Sequence, residues 1–469
     1  MTLRVITLPT PSGAPAATGA FEHTPHPPGP QGEAGILPAA PRTVEETGLH
    51  LLLISELALK VMHQHGLSHL QELSAHLKLS AALIESLFTH LRKETLVDIR
   101  RRGALDGDVM YQLTQAGRTR AADALARNLY SGPAPVPIAA YVARVQAQAV
   151  GAMGVTRHDL EQALAAVVVR PEVRDQLGAA MNSQRAILLY GPPGAGKTFL
   201  CEQMARLLTG HVAVPHAIEV DGEIIRVFDP LVHRCAPAAI DGPRSTIDSR
   251  NRSDDRWVLC DRPVVMTGGE LTLEMLDLVY DARAGYYQAP PHFKANNGIF
   301  LVDDLGRQLV TPRQLLNRWI LPMEHRHDYL MLRNGSKFRI PFDTMLFFST
   351  NMQPSDVADE AFLRRIGYKI YVGEVTTDDY RRILRDVCNE QDVPCADEVF
   401  DDLVQGLHAQ HARPLLACYP RDLVGQIVDY ATYHGRKPEL TSDMLHWAWH
   451  NYFATQPASL AAANLEKTS

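Results

Sequence analysis

The hydrophobic pattern changes character several times along the chain. Residues 1–43 show no apolar periodicity. Nine of the 31 prolines fall there among Ala, Gly, Ser and Thr, and this composition predicts a disordered arm. From residue 44 the periodicity is helical. "EETGLHLLLISELALKVMHQHG" carries an apolar stripe that predicts a helix ending at Gly66. "LSHLQELSAHLKLS" and "SAALIESLFTHLRKETLV" predict two shorter helices, each opened by a Ser cap. "LVDIRRRG" and "VMYQLTQAG" then read as short strands joined by a Gly-Asp loop. "YSGPAPVP" at 130–137 predicts an extended linker, since each proline disfavours helix at the residue before it. From about 155, strands alternate with helices in the manner of a parallel α/β sheet. After about 375 the pattern is helical as far as Phe453, and a small-residue tail follows. The expected divisions are an arm at 1–43, a three-helix-and-ribbon domain at 44–128, a linker at 129–154, an α/β domain at 155–375, a helical lid at 376–456 and a flexible tail at 457–469.

Composition narrows the class of protein without selecting a function. A chain of 469 residues exceeds one ordinary core. No stretch approaches the roughly 18 apolar residues of a membrane span, so no membrane partner is expected. The start, "MTLRVITLPTPSG", lacks the apolar core and cleavage site of a secretory signal. Cys201, Cys235, Cys260, Cys388, Cys395 and Cys418 form no CxxC pair and read as reduced thiols of a cytoplasmic protein. A net charge of −7 gives no general attraction to nucleic acid.

The strongest chemical signal is "AILLYGPPGAGKTFLCEQMARLL". An apolar strand, Ala186 to Tyr190, runs into Gly191-Pro192-Pro193-Gly194-Ala195-Gly196-Lys197-Thr198, and a helix begins at once. This is G-x-x-x-x-G-K-[ST] in the strand–loop–helix context that the motif requires. Backbone N–H groups of such a loop turn onto phosphates, and the helix N-terminus adds positive potential. Lys197 is expected to reach the β and γ phosphates of ATP, and Thr198 to hold Mg²⁺. A second acid belongs on a neighbouring strand, and "GIFLVDDLGRQ" at 298–308 supplies it. Asp303 is expected to bind Mg²⁺ through water, while Asp304 stands where a longer Glu would polarise the attacking water. Aspartate is shorter by about 1.5 Å, and misplacement by about an ångström can cost about a hundredfold in rate. Both a slow ATPase and an ATP-binding switch are compatible with that pair.

Together with "LFFSTN", "DEAFLRRIGYKI" and "CYPRDLVGQIVDYATYHGRKPELTSDML", these motifs resemble the AAA+ ATPases over about residues 155 to 453. The resemblance implies that Asn351 senses the γ-phosphate and that Arg364 and Arg365 reach a neighbouring subunit's nucleotide. It also implies that Arg421 is the second sensor, on a lid helix, and that the protein assembles as a ring, with a hexamer the family expectation. "PRQLLNRWILPMEHRHDYLMLRNGSKFRIPFDTMLFFSTN" reads as helix, hairpin and sensor strand, with the turn at Asn334-Gly335. That hairpin resembles the hallmark of the pre-sensor-1 branch, and the ending of the lid resembles MoxR-type and chelatase-type members. Double-aspartate endings also occur in replication initiators and helicase loaders. More than a hundred residues separate Lys197 from Asp303, beyond what a minimal core needs. The 211–297 insertion, with an expected hairpin at Asp221-Gly222 and a polar stretch after it, reads either as a loop facing a pore or partner or as an inert surface insertion. Tyr286 and Tyr287, where transcription activators carry their polymerase-contacting loop, read as a substrate grip or as packing.

Residues 44–128 resemble a winged helix-turn-helix. Ten basic residues face ten acidic ones there, a poor footprint for phosphates, and the start of helix 81–94 offers Ser80 and Glu85 rather than arginines. Docking of a protein client is therefore placed ahead of DNA binding. The expected fold is an α/β P-loop AAA+ core with a parallel sheet and a C-terminal helical lid, preceded by the winged helix. The expected function is ATP-driven remodelling of a protein partner. A DNA-associated motor or loader and a nucleotide-gated scaffold are the alternatives.

Overall fold

The computed structural model describes residues 36–102, 109–165, 167–236 and 253–453. The expected wing loop at 103–108, most of the polar stretch of the insertion, most of the arm and the tail lie outside these residues.

Short apolar runs build a five-stranded parallel sheet in the spatial order Tyr368–Tyr371, Ile187–Tyr190, Met345–Thr350, Ile299–Val302, Val264–Thr267. Parallel strands covered on both faces need apolar residues at consecutive positions, and Ile299–Val302 and Met345–Thr350 are buried throughout. The period of two sends alternate residues into two cores. Ile187, Leu189, Leu301 and Phe347 meet Leu177, Leu200 and Met204 on one face. Leu188, Phe300, Val302 and Phe348 meet Trp319 of helix Pro312–His325 on the other. The first strand in sequence lies between the fifth and fourth, so the strand order reverses beside it. In open parallel sheets a ligand crevice forms at such a reversal, beyond the strands' C-terminal ends.

The C-terminal region is helical, with Thr377–Glu390, Asp397–Asp401, Tyr419–Tyr433 and Ser442–Phe453 packed around the buried Trp449. Its core is continuous with one face of the sheet. The fold is thus an α/β P-loop core with a helical C-terminal region. The expected hairpin, between helix Pro312–His325 and strand Met345–Thr350, is present as His327–Met331 paired with Lys337–Pro341, turning through Gly335 at φ 85°. It is anchored by Asp328, which is 2% exposed. Burial alone would raise this carboxyl. Hydrogen bonds from His292 (3.0 Å) and from both guanidinium NH groups of Arg318 (2.8 Å each) outweigh burial and hold it near a pKa of about 2.

The N-terminal unit comprises helices Leu51–His65, Leu70–Leu77 and Ala81–Lys93 and the antiparallel ribbon Val97–Arg102 with Val109–Leu113. The first helix starts later than its apolar stripe suggests, because Gly48 takes a left-handed conformation (φ 71°) and leaves 45–47 as a single 3₁₀ turn. Ser80 caps the third helix through the amide of Leu83. Ser68 caps nothing. Its carbonyl accepts from the amide of Tyr111, and the second helix opens after His69, whose amide donates to Glu72. A further helix, Gln115–Arg127, is capped by Thr114.

The stretch expected as a linker, 129–154, carries regular structure. Val136–Pro137 pairs in parallel with Ala217–Val220, and Ile138–Ala147 is a helix packing Tyr141 against Phe293. The 211–297 insertion carries regular structure, including the hairpin expected at Asp221-Gly222. Its strands Ala217–Val220 and Glu223–Arg226 turn at Asp221-Gly222, with φ 51° and 82°, and join Tyr286–Gln288 and Val279–Asp281 in a second five-stranded sheet. Tyr287 is buried, with its hydroxyl accepting from the amide of Arg333, and Tyr286 meets Tyr130 edge-on at 5.5 Å. Both tyrosines pack the molecule together. Residues 36–43 of the expected arm also take part. The carbonyl of Ile36 accepts from Arg144 and that of Pro38 from the amide of Asp254.

A buried ion pair fastens these parts to one another. Arg256 chelates Asp254 and donates to the carbonyls of Thr47 (3.1 Å) and Pro135 (3.2 Å), with both charged side chains at most 5% exposed. Removing one partner of a buried pair strands the other charge, at a cost of about 3–5 kcal/mol. Arg256→Ala is therefore expected to lower unfolding free energy by about that amount. Urea titration followed by tryptophan fluorescence checks this.

Candidate functional site

The loop after Ile187–Tyr190 depends on glycine where space is smallest. Gly191 has φ 146°, and a Cβ there would lie 2.0 Å from the carbonyl oxygen of Val372. Gly194 has φ 80°, and its Cβ would meet the Cys418 sulfur at 2.4 Å. The helical region thus rests on the loop directly, and the Cys418 amide donates to the carbonyl of Gly194 (3.2 Å).

Lys197 opens helix Lys197–Ala205 and folds back over the loop. Its ammonium donates to the carbonyls of Gly191 (3.0 Å) and Pro192 (2.9 Å) and to Oδ1 of Asn351 (2.7 Å). Burial lowers its pKa, and the carboxylates of Asp304 and Asp303 oppose that shift. The Thr198 hydroxyl donates to the carboxylate of Asp303, with oxygens at 3.0 and 2.9 Å. Asp304, at φ 48°, accepts from Nδ2 of Asn351 (3.3 Å). The turn is fixed from behind by Gln308, whose amide donates to the carbonyls of Asp303 (2.9 Å) and Gly268 (3.1 Å).

Above these groups opens a cleft of about 630 Å³. Its polar end holds Lys197, Thr198, Asp304 and Asn351; its apolar end is walled by Val167, Val169, Val173, Ile383 and Val387. Arg421 reaches the cleft from helix Tyr419–Tyr433 and pairs with Glu390 at 3.3 Å. The structure therefore brings together the loop from Pro193 to Thr198, Asp303, Asp304, Asn351 and Arg421. It places Arg364 and Arg365 elsewhere. They lie at the N-terminal ends of the parallel strands, around a separate cavity of about 530 Å³ that also holds Arg185, Arg326 and Glu324. Arg365 pairs with Glu324 at 2.5 Å and Arg364 with Glu360 at 3.0 Å. Sequence reasoning missed Arg170 and Arg307, which also line the cleft, and the brace at Gln308. For Arg307 and Gln308 the signal was adjacent, in "DDLGRQ".

A family profile described as "Domain of unknown function (DUF8689)" matches residues 376–451, within the helical region. No curated protein matches the chain. Among solved structures, the chain is similar to NtrX from Brucella abortus in complex with ATP, at 14% identity and a TM-score of 0.37 over 63% of this chain. The match spans only 59% of that NtrX chain. It is also similar to the RuvB Holliday junction branch migration motor of Thermotoga maritima, at 14% identity and a TM-score of 0.34, over 62% of this chain and 72% of that one.

Proposed function

We propose that this protein binds ATP in the cleft above Lys197 and hydrolyses it to drive remodelling of a protein partner, as an AAA+ ATPase of the pre-sensor-1 branch with a MoxR-like lid. The observation that carries the reading is the convergence of a P-loop lysine, a Thr–Asp pair and an Asp–Asn pair at one sheet edge, beneath a helical region that touches the loop. Lys197 exchanges the carbonyls of Gly191 and Pro192 for β and γ phosphate oxygens, which carry full charge where the carbonyls carry partial charge. Thr198 and Asp303 offer two oxygen ligands. That number suits Mg²⁺, which takes one or two side chains and fills its octahedron with phosphates and water. An Mg²⁺ ion held by Thr198 and Asp303 would supply charge neutralisation at the phosphates. Asp304 polarises water, Asn351 orients it, and Arg421 couples the phosphates to the helical region. Arg364 and Arg365 serve the cleft of a second copy in a ring, for which six subunits is the family expectation. Residues 44–128 act as a winged-helix docking module for a protein client or adaptor.

Steady-state ATP turnover measured against protein concentration tests this, with Lys197→Ala as blank. Turnover per subunit that rises with concentration supports a site completed between copies. Tight ATP binding without turnover above the blank favours the nucleotide-gated scaffold, for which the short reach of Asp304 is the specific observation. Asp304→Glu restores about 1.5 Å of reach and is expected to raise turnover on the order of tenfold, read in the same assay. Salt-dependent binding of the full chain to duplex DNA would favour the DNA-associated motor.

A further inference from the structure

We infer that Arg307 is a second phosphate-contacting cation of the cleft, supplied by the same chain as Lys197, and that it selects a nucleoside triphosphate over a diphosphate. The inference rests on the reading of the cleft as a nucleotide site. A line of polar contacts crosses the cleft floor from Lys197 to Asn351 (2.7 Å), from Asn351 to Asp304 (3.3 Å), and from Asp304 to Nε of Arg307 (4.0 Å). A cation stands at each end of that line. Lys197 sits over the loop, where it would meet the β and γ phosphates. Arg307 lines the cleft on the far side of Asp304, and in the proposed reading Asp304 faces the γ-phosphate, the group that a diphosphate lacks.

The backbone that carries Arg307 is fixed. Its amide donates to the carbonyl of Asp304 (2.9 Å), closing a tight turn through Gly306 at φ 110°. The turn is tied to the sensor strand by the Leu305 amide on Ser349 and the Thr350 hydroxyl on Leu305, both at 2.7 Å, and to its own following residues by the Gly306 amide on Gln308 (2.9 Å). The side chain, by contrast, is 70% exposed, and its pairing with Asp304 is long. Exposed pairs of that geometry are weak. A phosphate carries more charge and accepts from a guanidinium in a planar fork, so it displaces the carboxylate. That exchange frees Asp304 at the moment a triphosphate arrives. A solvated Arg307 with no ligand would make no distinction between nucleotides.

Isothermal titration of the full-length protein with Mg²⁺ and either ADP or a non-hydrolysable ATP analogue reads the difference. Arg307→Ala is expected to weaken the triphosphate analogue about tenfold, the effect of one charge-assisted hydrogen bond, with ADP affinity within about twofold. Arg307→Lys keeps the charge and recovers part of the loss. If the wild type binds the analogue and Arg307→Ala shifts both nucleotides equally or neither, the inference is overturned and the nucleotide reading stands. If the wild type binds neither nucleotide, the nucleotide reading itself fails.

Discussion

Lys197→Ala is expected to reduce ATP turnover by about a hundredfold or more, the usual cost of removing one preorganised donor from developing negative charge. The wild-type ammonium is held by three oxygens within 3.0 Å, and Lys197 as a whole is 6% exposed, so its position is set before any phosphate arrives. Alanine removes the charge and also frees Asn351, whose amide group is oriented between Lys197 and Asp304. Two proposed contributors to the chemistry are then lost at one stroke. The acceptors left behind are loop carbonyls beside an open cleft, where water replaces the ammonium, so the melting temperature is expected to change little. Turnover within about threefold of wild type, with the fold intact by circular dichroism, would reject Lys197 as a phosphate ligand.

What the sequence made legible was local. The P-loop declares itself because strand, glycines, lysine and helix are consecutive. Asp303 and Asn351 end runs of buried apolar residues that only a central strand explains. Of the second sheet only the hairpin at Asp221-Gly222 was legible, since the rest pairs strands of two to four residues drawn from positions as distant as Val136 and Tyr287. Strands that short have no periodicity to read. The prolines around 133–137 signalled a break in helix, which is correct, but an extended segment can equally be a sheet edge. Asn297 shows the same limit. It adopts φ 64°, and its side chain donates to the carbonyl of Val145 and the carboxylate of Asp343 while accepting from Gln148. Nothing in the sequence around it marked the residue out. It proves to be a node joining helix Ile138–Ala147 to the sheet, and only the tertiary partners reveal that.

The same geometry that assembles the cleft keeps Arg364 and Arg365 out of it. Arg364 and Arg365 lie at the N-terminal ends of strands whose C-terminal ends carry the cleft. Four to six residues of strand span about 13–20 Å, longer than a side chain can bridge. If these arginines contact a nucleotide, it is one held by another copy, and separate damage to the two halves must be complementary. Arg364→Ala/Arg365→Ala is expected to lose about 10³–10⁵ in turnover, the contribution of an arginine supplied in trans. Lys197→Ala is expected to be nearly inactive for the different reason given above. In a one-to-one mixture, a subunit that keeps Lys197 can sit beside one that keeps the arginines. Random assembly into a ring then makes about a quarter of the sites whole. Turnover should therefore reappear on mixing two inactive proteins, at about a quarter of the wild-type value per subunit. Recovery would place the arginines across a subunit boundary. A mixture no more active than its components would show that they do not complete a neighbour's site, and their ion pairs with Glu324 and Glu360 would then be their whole role.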